Sequence, residues 1–375
     1  MQINKCKALK LARALPALSR RKRRKVYLFT LRFLLPAILF LFILSACQSH
    51  DSAAYVFDNY IYRLSNSLQV KRETVGIVKL LPSYPSRRNL QKNIPRISIN
   101  LLEFLRLSEC ELQRHIGQRN GALGRVMEST QQLIYDVTFL SLAKQCLTQL
   151  QPGSTLANTL QTAYEHKLTY FPASAWNATF ASKEFNYLFS LGAKPLSLTA
   201  VKEQPLQLNN ALAKLTRGYR RLLNEEWVED FLTNIETHYQ IIESSKRLGE
   251  IRLSLQVATH TLREADSLLL ARTKKNPLCQ KQQGNSQFTI VNAVFHKYYI
   301  GQVQPYIAAL HQQSSSVFLE IDELLAIQQA PVNIVSFWGE VYHSNNSEWQ
   351  GFNRAVKTHT LNWQALLRQC GKLPS

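Results

Sequence analysis

Residues that could do chemistry are few in this chain and mostly solitary. Among the histidine and carboxylate neighbours, His260 and Glu264 are one helical turn apart, and Glu236 with His238 lies on the preceding helical stretch. Residues i and i+4 share a helix face, so two such pairs on neighbouring helices would supply part of a metal site. A third ligand of certain position is missing, and chance placement of polar surface residues accounts for the pattern more simply. The expectation is no metal and no cofactor. Arg119, Asn120 and Arg125 frame a turn containing Gly121 and Gly124, where backbone amides and two guanidinium groups could receive an anionic ligand or a partner's carboxylate. The plainer reading is that they cap helices and tie the turn to Glu128. The Gly-x-Ser-x-Gly elbow, the His-Glu-x-x-His helix, the Walker loop and Gly-x-Gly-x-x-Gly are absent from the sequence, and no residue is nominated as catalytic.

A further reactive group is a thiol with a telling address. Arg20 to Lys25 is an unbroken basic run; Phe33 to Leu44 is apolar; Ser45-Ala46 are small; Cys47 follows. That order is a secretory signal. Cys47 directly after Leu44-Ser45-Ala46 resembles the lipobox of bacterial lipoproteins. The resemblance implies a diacylglyceryl thioether on the Cys47 sulfur, cleavage before it and acylation of the new amino terminus. The competing reading is an uncleaved anchor helix, since Val26 to Ala46 gives 21 residues interrupted only by Arg32, enough to span a bilayer. Both readings keep the basic run cytoplasmic and export the rest. In the lipoprotein class a residue other than Asp after the lipidated cysteine implies the outer membrane, and Gln48 fits. The expected division is therefore a signal peptide over 1–46, a lipidated tether over 47–53 and a single domain over 54–375, at the periplasmic face of the outer membrane or, alternatively, anchored in the inner membrane.

Removing the leader changes the electrostatics. The whole chain carries +20, but residues 1–46 hold eleven Lys and Arg and no acid, leaving 34 basic against 25 acidic residues, or +9. A nucleic-acid partner is not indicated. The membrane through the lipid anchor, an envelope protein and anionic lipid are the expected partners.

Four cysteines remain, Cys110, Cys146, Cys279 and Cys370. An even count in an exported chain suggests disulfides. Pairing Cys110 with Cys146 and Cys279 with Cys370 keeps each closure within one half of the chain. In the chain-entropy model these bridges contribute about 4 and about 4.5 kcal/mol. The first pairing meets a difficulty. In a simple hairpin the two cysteines are offset by roughly 13 Å along the helices, so either the segment from Gln118 to Glu128 holds its own helical turn or the pairing differs.

The elements that must position these residues are helical. Thirteen Gly and thirteen Pro in 375 residues is sparse, which disfavours a turn-rich β fold. Asn100 with Glu103, and Ser129 with Gln132, read as capping boxes. Leu101, Leu105, Leu112 and Ile116, then Leu133, Val137, Leu140 and Leu147, form two stripes of a helical hairpin. Val228 to Ile242 continues the pattern. Leu248, Ile251, Leu255, Ala258, Leu262, Ala265 and Leu269 repeat every three or four residues, as in the core of an intramolecular bundle; this helix is either continuous with its predecessor or joined to it near Gly249. Arg272 to Ser286 reads as a loop, Phe288 to Tyr299 as a helix that Pro305 kinks or ends, Val317 to Ile327 as a shorter one, and a last helix carries Trp363 and stops near Gly371. Glu73 to Pro95 is non-helical. The fold class is all-α: an elongated helical bundle built from hairpins and braced by disulfides.

Two stretches bear a family likeness. One is Leu107 to Cys146, with Cys110, Arg119-Asn120, Leu123-Gly124-Arg125-Val126, Ser129, Leu133, Tyr135 and Cys146. The other is His359-Thr360, Trp363, Leu366-Leu367, Cys370-Gly371 and Leu373-Pro374. Together they resemble a family of Gram-negative bacterial lipoproteins catalogued as a domain of unknown function. The resemblance implies architecture and export and adds no mechanism. The expected role is a membrane-anchored, non-enzymatic interaction or structural component of the envelope. The alternatives are an enzyme acting on envelope polymers through a dispersed active site, and a carrier of an apolar ligand with a cavity near Tyr298 and Trp338.

Overall fold

The apolar stripe from Leu248 to Leu269 lies on a helix of 29 residues, Arg247–Lys275, and all seven stripe residues are at most 1 % exposed. This computed structural model describes residues 51–372 except 73–79, 99, 122–123, 193, 228 and 281. Residues 1–50, on which the expected signal segment, Cys47 and the start of the expected tether fall, lie outside the described residues. Every described regular element is helical. In chain order they are α1 (Ala53–Leu68), α2 (Arg87–Leu90), α3 (Leu101–Arg106), α4 (Leu112–Asn120), α5 (Ser129–Gln149), α6 (Thr155–Ala178), α7 (Lys183–Leu188), α8 (Leu206–Leu223), α9 (Glu229–Ser244), α10 (Arg247–Lys275), α11 (Ser286–Val294), α12 (Gln304–Ala326), α13 (Val332–Trp338) and α14 (Glu348–Arg368). Two wide π-helical stretches, Phe295–Val303 and Gly339–His343, follow α11 and α13.

Helix α10 is the axis of Ser52–Ser375, one compact unit, with α14, α1 and α12 packed around it. Helices α8 and α9 pair with each other, and α7 lies against α9. The large core contains Trp176, Trp338 and Trp363, each at most 2 % exposed. A smaller core is separate: Leu107, Leu112, Tyr135, Phe139, Ala143 and Leu160 pack among α4, α5 and α6 around the Cys110–Cys146 bridge. The second bridge, Cys279–Cys370, fastens the end of α14 to the loop after α10. Their Cα separations of 5.7 and 5.1 Å suit disulfides.

The hairpin offset is taken up by the turn segment, which holds a helical turn of its own. Helix α4 has nine residues, and a 3₁₀ turn at Gly124–Val126 sits between it and α5. At about 1.5 Å per residue, seventeen residues of α5 return the chain to the level of Cys110, two residues before α4. Leu105 does not extend the α4 stripe: α3 ends at Arg106, Leu105 is 53 % exposed, and Leu107 fills the core instead; the Leu101 side chain lies outside the described ones. Ser129 is not a cap. It is the first helical residue, and Gln132 donates to Asp136 Oδ1 at 2.8 Å instead of reaching back. Ser154, Ser182, Asn285 and Ser347 do cap their helices, each accepting from the backbone N–H three residues on.

Helix α9 ends at Ser244, so the break before α10 precedes Gly249. Gly249 has another role. The backbone of Ser190 to Gly192 crosses α10 there so closely that a Cβ would overlap the Ser190 carbonyl. Pro305 does not end the helical rod. The π stretch Phe295–Val303 widens the rod just before it, and Pro305 falls in the first turn of α12, where the ring displaces no needed N–H. Residues 317–327 therefore belong to α12 and its cap. The loop expected from Arg272 begins later, after Lys275. Helix α14 closes at Gly371, whose φ of +69° is the left-handed cap glycine favours.

Candidate functional site

The densest polar constellation sits where α1, α10 and α14 meet. Asp266 comes from α10, Tyr60 from α1, and His359 and Trp363 from successive turns of α14. The Trp363 indole N–H donates to the Tyr60 hydroxyl at 2.9 Å. That oxygen is thereby an acceptor, and its own proton points to His359 Nε2, 2.8 Å away. Nε2 then accepts, so Nδ1 carries the ring proton and donates to Asp266 Oδ1 at 2.7 Å. Tyr299, from the π-helical stretch, stands edge-on to the imidazole at 4.8 Å between ring centres. Burial above all holds the Tyr60 hydroxyl protonated, with the Trp363 bond pulling the other way.

Carboxylate, imidazole and hydroxyl in a row is the order of a nucleophile-activating relay. Here it is closed. His359 and Tyr60 have no measurable exposure and Trp363 has 1 %, and neither cleft described below is lined by any member. Its evident effect is to fix the register of three helices, because a buried polar chain is stable only when each group meets its partner.

Other buried polar groups are likewise engaged with one another. Arg252 on α10 is wholly buried and holds Glu348 through Nε at 3.0 Å and Nη2 at 2.6 Å, while Nη2 also donates to the Pro82 carbonyl at 2.7 Å. Asp136 accepts from Lys167 at 2.5 Å, Ser174 at 2.7 Å and Gln132 at 2.8 Å, joining α5 to α6. Beside it His115 stacks on Tyr135 at 4.3 Å; burial lowers the His115 pKa. Burial and then Asp136 raise that of Tyr135, while Arg119 opposes them.

The turn singled out in the sequence borders an open cleft of about 680 Å³, lined by Gly121, Gly124, Met127, Ile134 and Glu236 among others. Arg119 and Asn120 do not line it, and the Arg125 side chain lies outside the described residues. The Glu128 carboxylate meets Arg87 at 3.3 Å, and whether it also holds Arg125 falls outside the described side chains. Gly124 folds back so tightly that a Cβ would overlap the Arg119 carbonyl. A second cleft, about 260 Å³, is bounded by Pro82, Tyr84, Phe189 and Arg252. Neither is formed by Tyr298 or Trp338, and Trp338 is instead buried with its N–H on Asp322 at 2.9 Å. Of the suggested metal ligands, Glu264 is paired with Arg72, and among the described residues no three His, Cys, Asp or Glu side chains gather as a metal site.

A protein-family model described as "Protein of unknown function (DUF3080)" matches residues 57–374. The chain belongs to this family. No curated protein and no solved structure matches it. The DUF3080 match takes in all four disulfide cysteines and the whole Asp266, His359, Tyr60 and Trp363 chain. The sequence placed Trp363 on the last helix and His359 in the terminal likeness, and gave no sign of Tyr60 or Asp266 as their partners. Tyr60 shares the buried face of α1 with Val56, Phe57 and Leu64, a helical repeat that was legible. Asp266 follows Ala265 within the strongest stripe, and nothing in the sequence ties it to a residue 93 positions on.

Proposed function

We propose that this DUF3080 protein is a lipid-anchored component of a Gram-negative cell envelope, attached through acylated Cys47 at the periplasmic face of the outer membrane, and that it acts by contact rather than by catalysis. The observation that carries the reading is the pair of disulfides, Cys110–Cys146 and Cys279–Cys370. Such bridges persist outside the reducing cytosol, which agrees with the export signal before Cys47. More than one acyl chain makes the attachment stable.

Contact is favoured over chemistry by where the reactive groups sit. The histidine with both a carboxylate and a hydroxyl partner is buried at the junction of three helices, and the larger cleft has one carboxylate, Glu236, and no histidine. Such a surface suits a partner's apolar side chain better than a bond-breaking step. Crosslinking in cells with mass spectrometry of the captured species tests the role. Repeated recovery of one envelope protein supports it, and turnover of an envelope polymer by the purified protein overturns it.

A further inference from the structure

We propose that the joint surface of α1 and the π-helical stretch Phe295–Val303 is a second membrane contact, docking on anionic phospholipid headgroups of the leaflet that holds the anchor. This deepens the lipid-anchor reading and rests on it. The two elements lie side by side. On α1, Tyr55 and Tyr62 are seven residues apart and therefore on one face, 45 and 59 % exposed. Next to them the Arg63 guanidinium lies between two rings, 5.8 Å from the centre of Tyr62 and 5.6 Å from that of Tyr298. The Lys297 ammonium also stands 5.6 Å from the centre of the Tyr298 ring, and Ile300, three residues on, is exposed.

This is the composition of an interfacial surface. Tyrosine rings lie at headgroup level with an apolar body and a wet hydroxyl, and Arg and Lys meet the phosphates. Charge agrees. The segments 53–68 and 286–303 contain a single acid, Asp58, and Arg72 pairs with it at 3.4 Å. Geometry agrees as well. Cys47 and Ala53 are six positions apart and at most about 21 Å from each other, so α1 begins within that distance of the anchor whatever path the tether takes. Arg63 is ten residues further on, about 15 Å along the helix. A short tether thus keeps the start of α1 close to the membrane, with Arg63 one helix length away.

The test uses the processed, acylated protein reconstituted into vesicles of phosphatidylcholine alone or with phosphatidylglycerol, with tyrosine iodination at Tyr55, Tyr62 and Tyr298 read by mass spectrometry. Labelling is expected to fall about tenfold with phosphatidylglycerol and to return in high salt and in the variant Arg63→Glu/Lys297→Glu. Equal labelling in both lipids overturns the proposal while leaving the anchor standing. Protection that appears only when an envelope protein is added also overturns it, because the face then belongs to that protein. A chain recovered without acyl groups defeats the anchor reading instead. The same labelling with added vesicles then decides the surface by itself.

Discussion

Replacing His359 with Leu should destabilise the fold far more than replacing His359 and Asp266 together. In the single variant the Asp266 carboxylate, 9 % exposed, loses the imidazole proton 2.7 Å away and remains as a buried charge. Breaking one side of a buried pair costs about 3 to 5 kcal/mol. In the variant Asp266→Leu/His359→Leu no charge is left behind, and apolar replacement of a whole buried pair is commonly neutral or better. Tyr60 and Trp363 keep each other as partners through the 2.9 Å bond. The double variant should therefore recover at least about 2 kcal/mol of the loss. Urea unfolding followed by tryptophan fluorescence measures this, with equal m-values confirming that the same transition is compared. A double variant at least as unstable as His359→Leu would refute the view that these groups serve packing and register, and would direct attention to a role for the imidazole itself.

Further outcomes follow from other parts of the fold. Removing Cys279–Cys370 by paired Ser substitutions should cost about 4.5 kcal/mol in the chain-entropy model, against about 4 for Cys110–Cys146, and hydrogen exchange should show the latter loosening α4 to α6 while α10 stays protected. Gly249→Ala should be strongly destabilising because its Cβ overlaps the Ser190 carbonyl, whereas Gly339→Ala, with open space around it, should be neutral or stabilising by up to about 1 kcal/mol; thermal melts separate the two. Tyr60, Tyr84 and Tyr239 have pKa values raised well above the usual 10, and Tyr306 is raised to about 12, burial being the first cause in each. The unfolded chain releases these protons first, so stability is intact below about pH 10 and declines as pH rises beyond it. Tyrosinate absorbance should accordingly lag in the folded protein and appear with unfolding.

The parts of the fold legible in the sequence were those governed by local period. The α10 stripe, the apolar residues of α5 and α14, and the stop at Gly371 needed only spacing and a cap. Helix α8 carried an equally clear repeat, Leu208, Leu212, Leu215, Tyr219 and Leu222, and was overlooked. Helix α6 was harder: alanines form much of its buried face and Pro172 lies inside it, so contrast between its faces is weak. The segment before α3 was legible as non-helical, apart from the short α2, but its course could not be read, because its order comes from distant partners. Tyr84 donates to the Phe180 carbonyl at 2.6 Å, the Trp176 indole donates to Leu90, and Lys92 exchanges two 2.8 Å bonds with Asn177. Composition likewise could not foretell the π stretch that lets Pro305 remain inside a helical rod. For the candidate site, the failure was of the same kind: Arg119, Asn120 and Arg125 drew attention as neighbours in sequence, whereas the buried chain from Asp266 to Trp363 is assembled from three helices.

The most direct test is the intact mass of the protein extracted from membranes of its native cell. The account predicts an amino terminus at Cys47 carrying a thioether-linked diacylglyceryl group and an N-acyl chain, with four fewer hydrogens than the reduced chain for the two disulfides. A soluble product that retains residues 1–46 and has free thiols at Cys110, Cys146, Cys279 and Cys370 would contradict it.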